Sequence, residues 1–361
     1  MSGKKGQNLD RRDTSNISVK TSIAMKSILA SFFLQTGGMS RKLRRVSKHD
    51  SVILMYHRVV PHDEARSGIQ AGMYVEPYTF ERHLGFLKKH FVIVPISALL
   101  SDYEEVSGTL DAKPRCVLTF DDGWHDFFEY VFPILKTHQV QATVFLPTDF
   151  MGTGDWFWTD RLGNLLYQRE KSGNSVSLTQ SSTNSFVRRL EGLNDPIEGQ
   201  IEKAIGMLKA LHNEKIEEIL RELSARWNLD AAPRRRAFFN WEEVREMAQS
   251  GLVTFGSHTV GHKILTTLTE PEIRDELANS RKRLVTEKAV DPAFISFSYP
   301  NGNYTDRIAK MVRDSGYDLA VTTENGWNHN GSDLFALKRI SIHQDMTSTE
   351  AMLGCRILGI F

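Results

Sequence analysis

The sequence predicts an α/β protein built on a parallel sheet, and three observations lead there. Short runs rich in β-branched and apolar residues recur along the chain. Several of these runs are apolar throughout rather than alternating, as suits strands covered on both faces. Between them lie stretches with apolar residues every three or four positions, the period of a helix with one buried stripe. Such alternation builds βαβ units, which either close as a barrel or open as a doubly wound sheet.

The elements follow in order. Strands are expected over residues 51–56, 91–95, 115–120, 141–146, 252–256, 293–299, 318–323 and 337–342. A helix over 79–89 places Phe80, Leu84 and Leu87 on one stripe, and another is expected over 126–138. Helices over 240–250 and 269–287 each open on a capping-box pattern, Asn240 with Glu243 and Thr269 with Glu272. Residues 163–233 break the rhythm with a Ser/Thr/Asn-rich patch (172–185) and one long charged helical stretch (197–228). Ile201, Ile205, Leu208, Ile216, Ile219 and Leu223 give that stretch an apolar face. The expected organisation is an extension over 1–50 and a domain over 51–361 carrying a helical insertion at about 163–233.

Composition bounds the function. The chain has 361 residues, 40% hydrophobic and 25% charged, enough for a sizeable core. A net charge of +1 gives no global case for nucleic acid, and none is expected as a partner. Residues 1–50 hold eleven Lys/Arg against three Asp, a basic arm of the kind that is either a solvated tail or meets an anionic surface. The apolar stretch 23–34 is interrupted by Lys26 and Ser27. It is shorter than the roughly 20 residues a bilayer span needs. An amphipathic helix, docked on the body or lying on a membrane, fits it better. No secretory cleavage signal is visible, and Cys116 and Cys355 are too few for a disulfide scaffold. The expectation is a cytoplasmic protein whose residues 1–50 are first a solvated, partly disordered tail, with peripheral membrane contact as the alternative.

Three motifs carry chemistry, each ending an expected strand. Thr119-Phe120-Asp121-Asp122-Gly123 sets adjacent carboxylates at the end of an apolar run, costly unless they bind a cation or react. Neighbouring side chains diverge, so one can ligate a metal while the other faces a reacting water. Alternatively the pair simply opens a helix. Ser257-His258-Thr259-Val260-Gly261-His262 sets two imidazoles four apart, which share a face if the segment is helical or tightly turned. Two His and one Asp make a ligand set with open positions, suited to zinc, cobalt, nickel or iron(II). Phe297-Ser298-Tyr299-Pro300-Asn301-Gly302 forms a turn able to present a backbone N–H to an oxyanion. Trp156 and Trp158, with Trp124 beside the Asp pair, offer rings on which sugar C–H faces can pack.

In this order the three motifs resemble the polysaccharide deacetylase family of the NodB-homology, chitooligosaccharide-deacetylase type. Tyr56-His57-Arg58-Val59 and the unit 241–262 add to the likeness, which covers roughly residues 51–345. The resemblance implies a distorted (β/α) barrel and hydrolysis of acetyl groups, N-acetyl on hexosamine units first. The substrate would be a polysaccharide, an oligosaccharide or a lipid-linked sugar. It implies Asp121 as general base, Asp122, His258 and His262 as ligands of one divalent ion, zinc before cobalt or nickel, and Asn301 as oxyanion donor. The general acid is expected from a late strand at His343, with His125 and His57 as rivals. Trp124, Trp156, Trp158 and Tyr299 are the expected substrate contacts. Many relatives carry an Arg, which orients the base, where this chain has Ser298. The same chemistry would serve an O-acetyl esterase or a non-carbohydrate amidase on the same scaffold, and a catalytically silent carbohydrate-binding protein is a further alternative.

Overall fold

A computed structural model describes residues 25–65, 72–101, 113–172, 182–231 and 236–361. The basic residues before position 25 and most of the patch 172–185 lie outside the described residues. The core is an eight-stranded sheet whose recorded pairings are all parallel. Its strands are β1 (Ser51–Tyr56), β4 (Val92–Ile93), β5 (Arg115–Phe120), β6 (Ala142–Leu146), β7 (Val253–Ser257), β8 (Ser296–Ser298), β9 (Leu319–Val321) and β10 (Ile340–Ser341). The short strands β2 (Arg58–Val59) and β3 (Tyr74–Val75) pair apart from it.

The order is β10-β1-β5-β6-β7-β8-β9, with β4 beside β5. The sheet curls almost to closure, as the (β/α) barrel alternative requires. Leu337 bridges Val321 of β9, while Ile340 and Ser341 pair with Leu54 and Met55 of β1. A single segment, 337–341, therefore touches both ends of the sheet. Strands β1, β5 and β6 are buried at every residue, which explains why they read as continuous apolar runs.

Several elements are shorter than expected. Only Ser296–Ser298 of 293–299 is strand. Before it, Ile295 N–H donates to the Asp318 carboxylate instead of continuing the ladder. The stretch 197–228 is two helices, Ile197–Leu208 and Asn213–Trp227, folded back at residues 209–212. Its two apolar stripes therefore share a core instead of lining one long rod. With the helices Trp158–Lys171 and Ser185–Glu191 they enclose a separate apolar cluster that includes Leu162, Leu165, Ile205, Ile219 and Trp227.

The capping boxes at Asn240/Glu243 and Thr269/Glu272 both form. No helix among the described residues is long and apolar enough to cross a membrane.

Candidate active site

Strand β5 ends at Phe120 and delivers Asp121 and Asp122 to the C-terminal mouth of the sheet, both 3% exposed. Asp122 does not open a helix. It sits in the left-handed region at φ 78°, followed by Gly123 at φ 67°. A Cβ on Gly123 would lie 2.7 Å from the Leu146 side chain, so this turn needs both the conformation and the missing side chain of glycine. The turn aims Asp122 away from Asp121. Trp124 Nε1 donates to Asp122 Oδ2 at 3.0 Å, while the buried Oδ1 has no hydrogen-bond partner.

That orphaned oxygen faces two imidazoles. His262 Nε2 lies 3.4 Å from it and His258 Nε2 3.6 Å. One ligand atom from each of the three residues falls within 4.8 Å of the others. The two His meet through a tight turn, not a helix, with Thr259 at φ 68° and His262 at φ 54°. His258 Nδ1 is 2.7 Å from the Ser298 carbonyl, which fixes the ring with Nε2 inward. Burial pushes both imidazoles down to about 4, keeping them neutral and able to ligate, and it pushes the Asp122 carboxyl up. A buried carboxylate oxygen without a partner, flanked by two neutral imidazoles, fits a divalent cation.

Two residues that sequence reading missed hold this arrangement. Glu276, on the helix Glu270–Thr286, accepts from Val260 N–H at 2.8 Å and Gly261 N–H at 3.0 Å, pinning the histidine turn. The other is Arg339, fully buried in the closing segment. Its Nη1 donates to Asp121 Oδ1 and its Nη2 to Oδ2, both at 2.7 Å. Nη2 also donates to Ser298 Oγ at 3.1 Å, and Nε to the Thr322 carbonyl at 2.8 Å. Position 298 is a serine, and the guanidinium that meets Asp121 comes instead from the segment just before β10, with Ser298 as a further acceptor. Burial alone would raise the Asp121 pKa. The Arg339 charge and its forked hydrogen bonds outweigh that and hold the carboxyl well below the usual range.

The site opens into a cavity of about 360 Å³, lined by His57, Arg58, Asp121, Asp122, His258, His262, Asn301 and others. His57 Nε2 is 4.0 Å from Asp121 Oδ2. His343 does not line this cavity, and its Nδ1 bonds Asp345 at 2.6 Å. His125 sits away from it with Glu243. Asn301 stands in the left-handed region at φ 57° on the cavity wall.

The expected aromatic contacts divide. Trp158 lines the cavity. Trp124 lines it too, although only 2% exposed: it stacks on Phe238, lies beneath the Arg58 guanidinium and donates to Asp122. Tyr299 lines it as well, its side chain otherwise buried and its hydroxyl donating to the Phe335 carbonyl. Trp156 lines a neighbouring groove. The helical cluster adds Ile201, Ile205, Asp160 and Lys209 to the cavity wall. Lys209 Nζ donates to Asn301 Oδ1 at 2.9 Å, and burial lifts Asp160 to about 6.

Fold and site together give a curled parallel sheet that gathers Asp121, Asp122, His258 and His262 at the C-terminal mouth of its strands. The family model for polysaccharide deacetylases matches residues 110–320, and the chain belongs to that family. It is 24% identical over 300 residues to YxkH of Bacillus subtilis (strain 168), itself assigned to the polysaccharide deacetylases, across 82% of this chain and 73% of that one. Among solved structures, the Streptococcus pyogenes deacetylase PplD, in complex with acetate, superposes with TM-score 0.53 at 20% identity, covering 84% of this chain and 96% of the other. IcaB from Ammonifex degensii gives 0.52 at 16% identity, covering 85% and 97%. These structures share the NodB-type barrel.

Proposed function

We propose that this deacetylase removes the acetyl group from N-acetylhexosamine units of an oligosaccharide, polysaccharide or glycolipid, using one divalent ion, zinc first. The observation that carries the proposal is the orphaned Asp122 oxygen between His258 and His262, one residue from a carboxylate that Arg339 keeps ionised. A cation held by those three residues would supply Lewis-acid polarisation and lower the pKa of a water from about 15.7 to about 7.

The chain's own groups do the rest. Asp121, ionised and fixed by two hydrogen bonds, takes the proton as water attacks the acetyl carbon, a role worth about 10²–10⁴-fold. The Asn301 peptide N–H donates to the oxyanion. Its left-handed conformation turns that peptide relative to the strand before it. His57 is the imidazole nearest Asp121 inside the cavity, and it donates the proton to the leaving nitrogen when the C–N bond breaks. Acetate and a free amine result. Trp158, Asp160 and Lys209 contact the sugar from the helical wall.

The test is acetate release from N-acetylglucosamine oligomers by zinc-loaded protein. Release that chelation, Asp121→Asn and His258→Ala each abolish supports the proposal. No release from folded, loaded protein overturns the substrate assignment, and no metal uptake overturns the ligand set.

A further inference from the structure

Residues 25–35 form a helix with two apolar faces. One packs on the body through Ala30, fully buried, with Phe33 and Leu34 partly buried against the main core. The other carries Met25, Ile28, Leu29 and Phe32, which are 60%, 70%, 59% and 67% exposed. Their spacing keeps them within an arc of about 100°. These are four of the eight large apolar side chains exposed among the described residues. A fifth, Ile360, adjoins Phe361, whose ring lies 5.7 Å from Lys26 Nζ of the same helix.

The chain that follows this helix is cationic. The helix Gly38–Leu43 follows directly, and Arg41, Arg44 and Arg45 are exposed and meet no carboxylate among the described residues. Residues 39–49 contain no acidic side chain, and the first fifty residues carry eight more positive than negative charges. A soluble body needs one apolar face to dock this helix. The second face, bordered by arginines, is the pattern of a helix lying in a bilayer interface.

We infer that this helix and its arginine flank form a peripheral docking surface for an anionic lipid bilayer. The apolar arc enters the acyl boundary and Arg41, Arg44 and Arg45 meet the headgroups. This inference is independent of the deacetylase reading. A second copy fits worse, because a two-fold contact on this face would bring two basic arms together. A nucleic acid would engage the arginines but leave the apolar arc in water.

The experiment is co-sedimentation of the full chain with vesicles of phosphatidylcholine alone or mixed with phosphatidylglycerol, across a salt series. Binding to the mixed vesicles is expected, weak on phosphatidylcholine alone and falling with salt. Ile28→Ser with Phe32→Ser lowers the partition coefficient at least about tenfold. Arg44→Gln with Arg45→Gln lowers it about thirtyfold. Both variants change only exposed side chains and keep the wild-type circular dichroism spectrum. Wild-type protein left in the supernatant with phosphatidylglycerol vesicles overturns the inference. So does variant binding equal to wild type. A dimer in vesicle-free buffer that the Ser variant dissociates gives the face to a second copy and overturns it too.

Discussion

Replacing Arg339 by Met removes the guanidinium that grips Asp121, the proposed base, through two hydrogen bonds. Asp121 is 3% exposed and receives two 2.7 Å bonds from the guanidinium, so the variant leaves a buried carboxylate uncompensated. Breaking a buried pair from one side costs about 3–5 kcal/mol. The Thr322 carbonyl and Ser298 hydroxyl lose the same donor. The chemical effect is separable from the stability effect. An adjacent arginine lowers an aspartate pKa by about 1–3 pH units, so the acidic limb of kcat/KM moves up by that amount in R339M. Urea unfolding and a pH profile of acetate release measure the two. The double variant D121N/R339M carries no stranded charge and regains much of the lost stability, which distinguishes ion-pair loss from simple damage to the core. R339K keeps the charge without the fork and falls between wild type and R339M. An R339M protein with the wild-type unfolding midpoint and an unmoved acidic limb would refute the reasoning.

Three further outcomes are expected. His57→Gln lowers kcat/KM by about 10²–10⁴-fold whereas His343→Gln leaves it near wild type. The reverse pattern, in the same acetate-release assay, returns the proton donor to His343. Trp124→Phe keeps the ring packing but removes the donor to Asp122 Oδ2, and zinc affinity in a chelator competition falls by about 10–100-fold. His83 is buried between the Tyr56 hydroxyl and the Thr347 carbonyl, and burial pushes it from 6.5 down to about 4. Below pH 6.5 the unfolded chain takes up a proton that the folded chain refuses. Stability therefore falls between about pH 6.5 and about pH 4, by about 3 kcal/mol, and the matching urea series on His83→Gln lacks that share of the slope.

Much of the scaffold was readable from the sequence because its signals are local. Runs such as Arg115–Phe120 and Ala142–Leu146 are apolar at nearly every position because helices or the barrel interior cover both faces. The converging Asp122, His258 and His262 were readable because each sits where an apolar strand stops. Long-range pairings were not. Arg339 lies 218 residues from the aspartate it holds, and only an arginine amid the apolar residues of 337–342 hinted at it. Glu276 left a similar trace, a carboxylate on the stripe of Ile273, Leu277 and Leu284. The roles of Trp124 and Tyr299 depend on which way a ring faces, and composition carries no such direction. The long stretch 197–228 was misjudged because an unbroken apolar period does not reveal a reversal at residues 209–212.

The segment 337–341 bridges both ends of the sheet and also carries Arg339. The parts of the reaction centre are thus translated far apart in time, the aspartates early and their restraint near the finish. A chain ending at β9 would lack both the segment that pairs with β1 and the guanidinium that meets Asp121. Sealing the sheet and neutralising that buried carboxylate are therefore one event, carried by the same few residues.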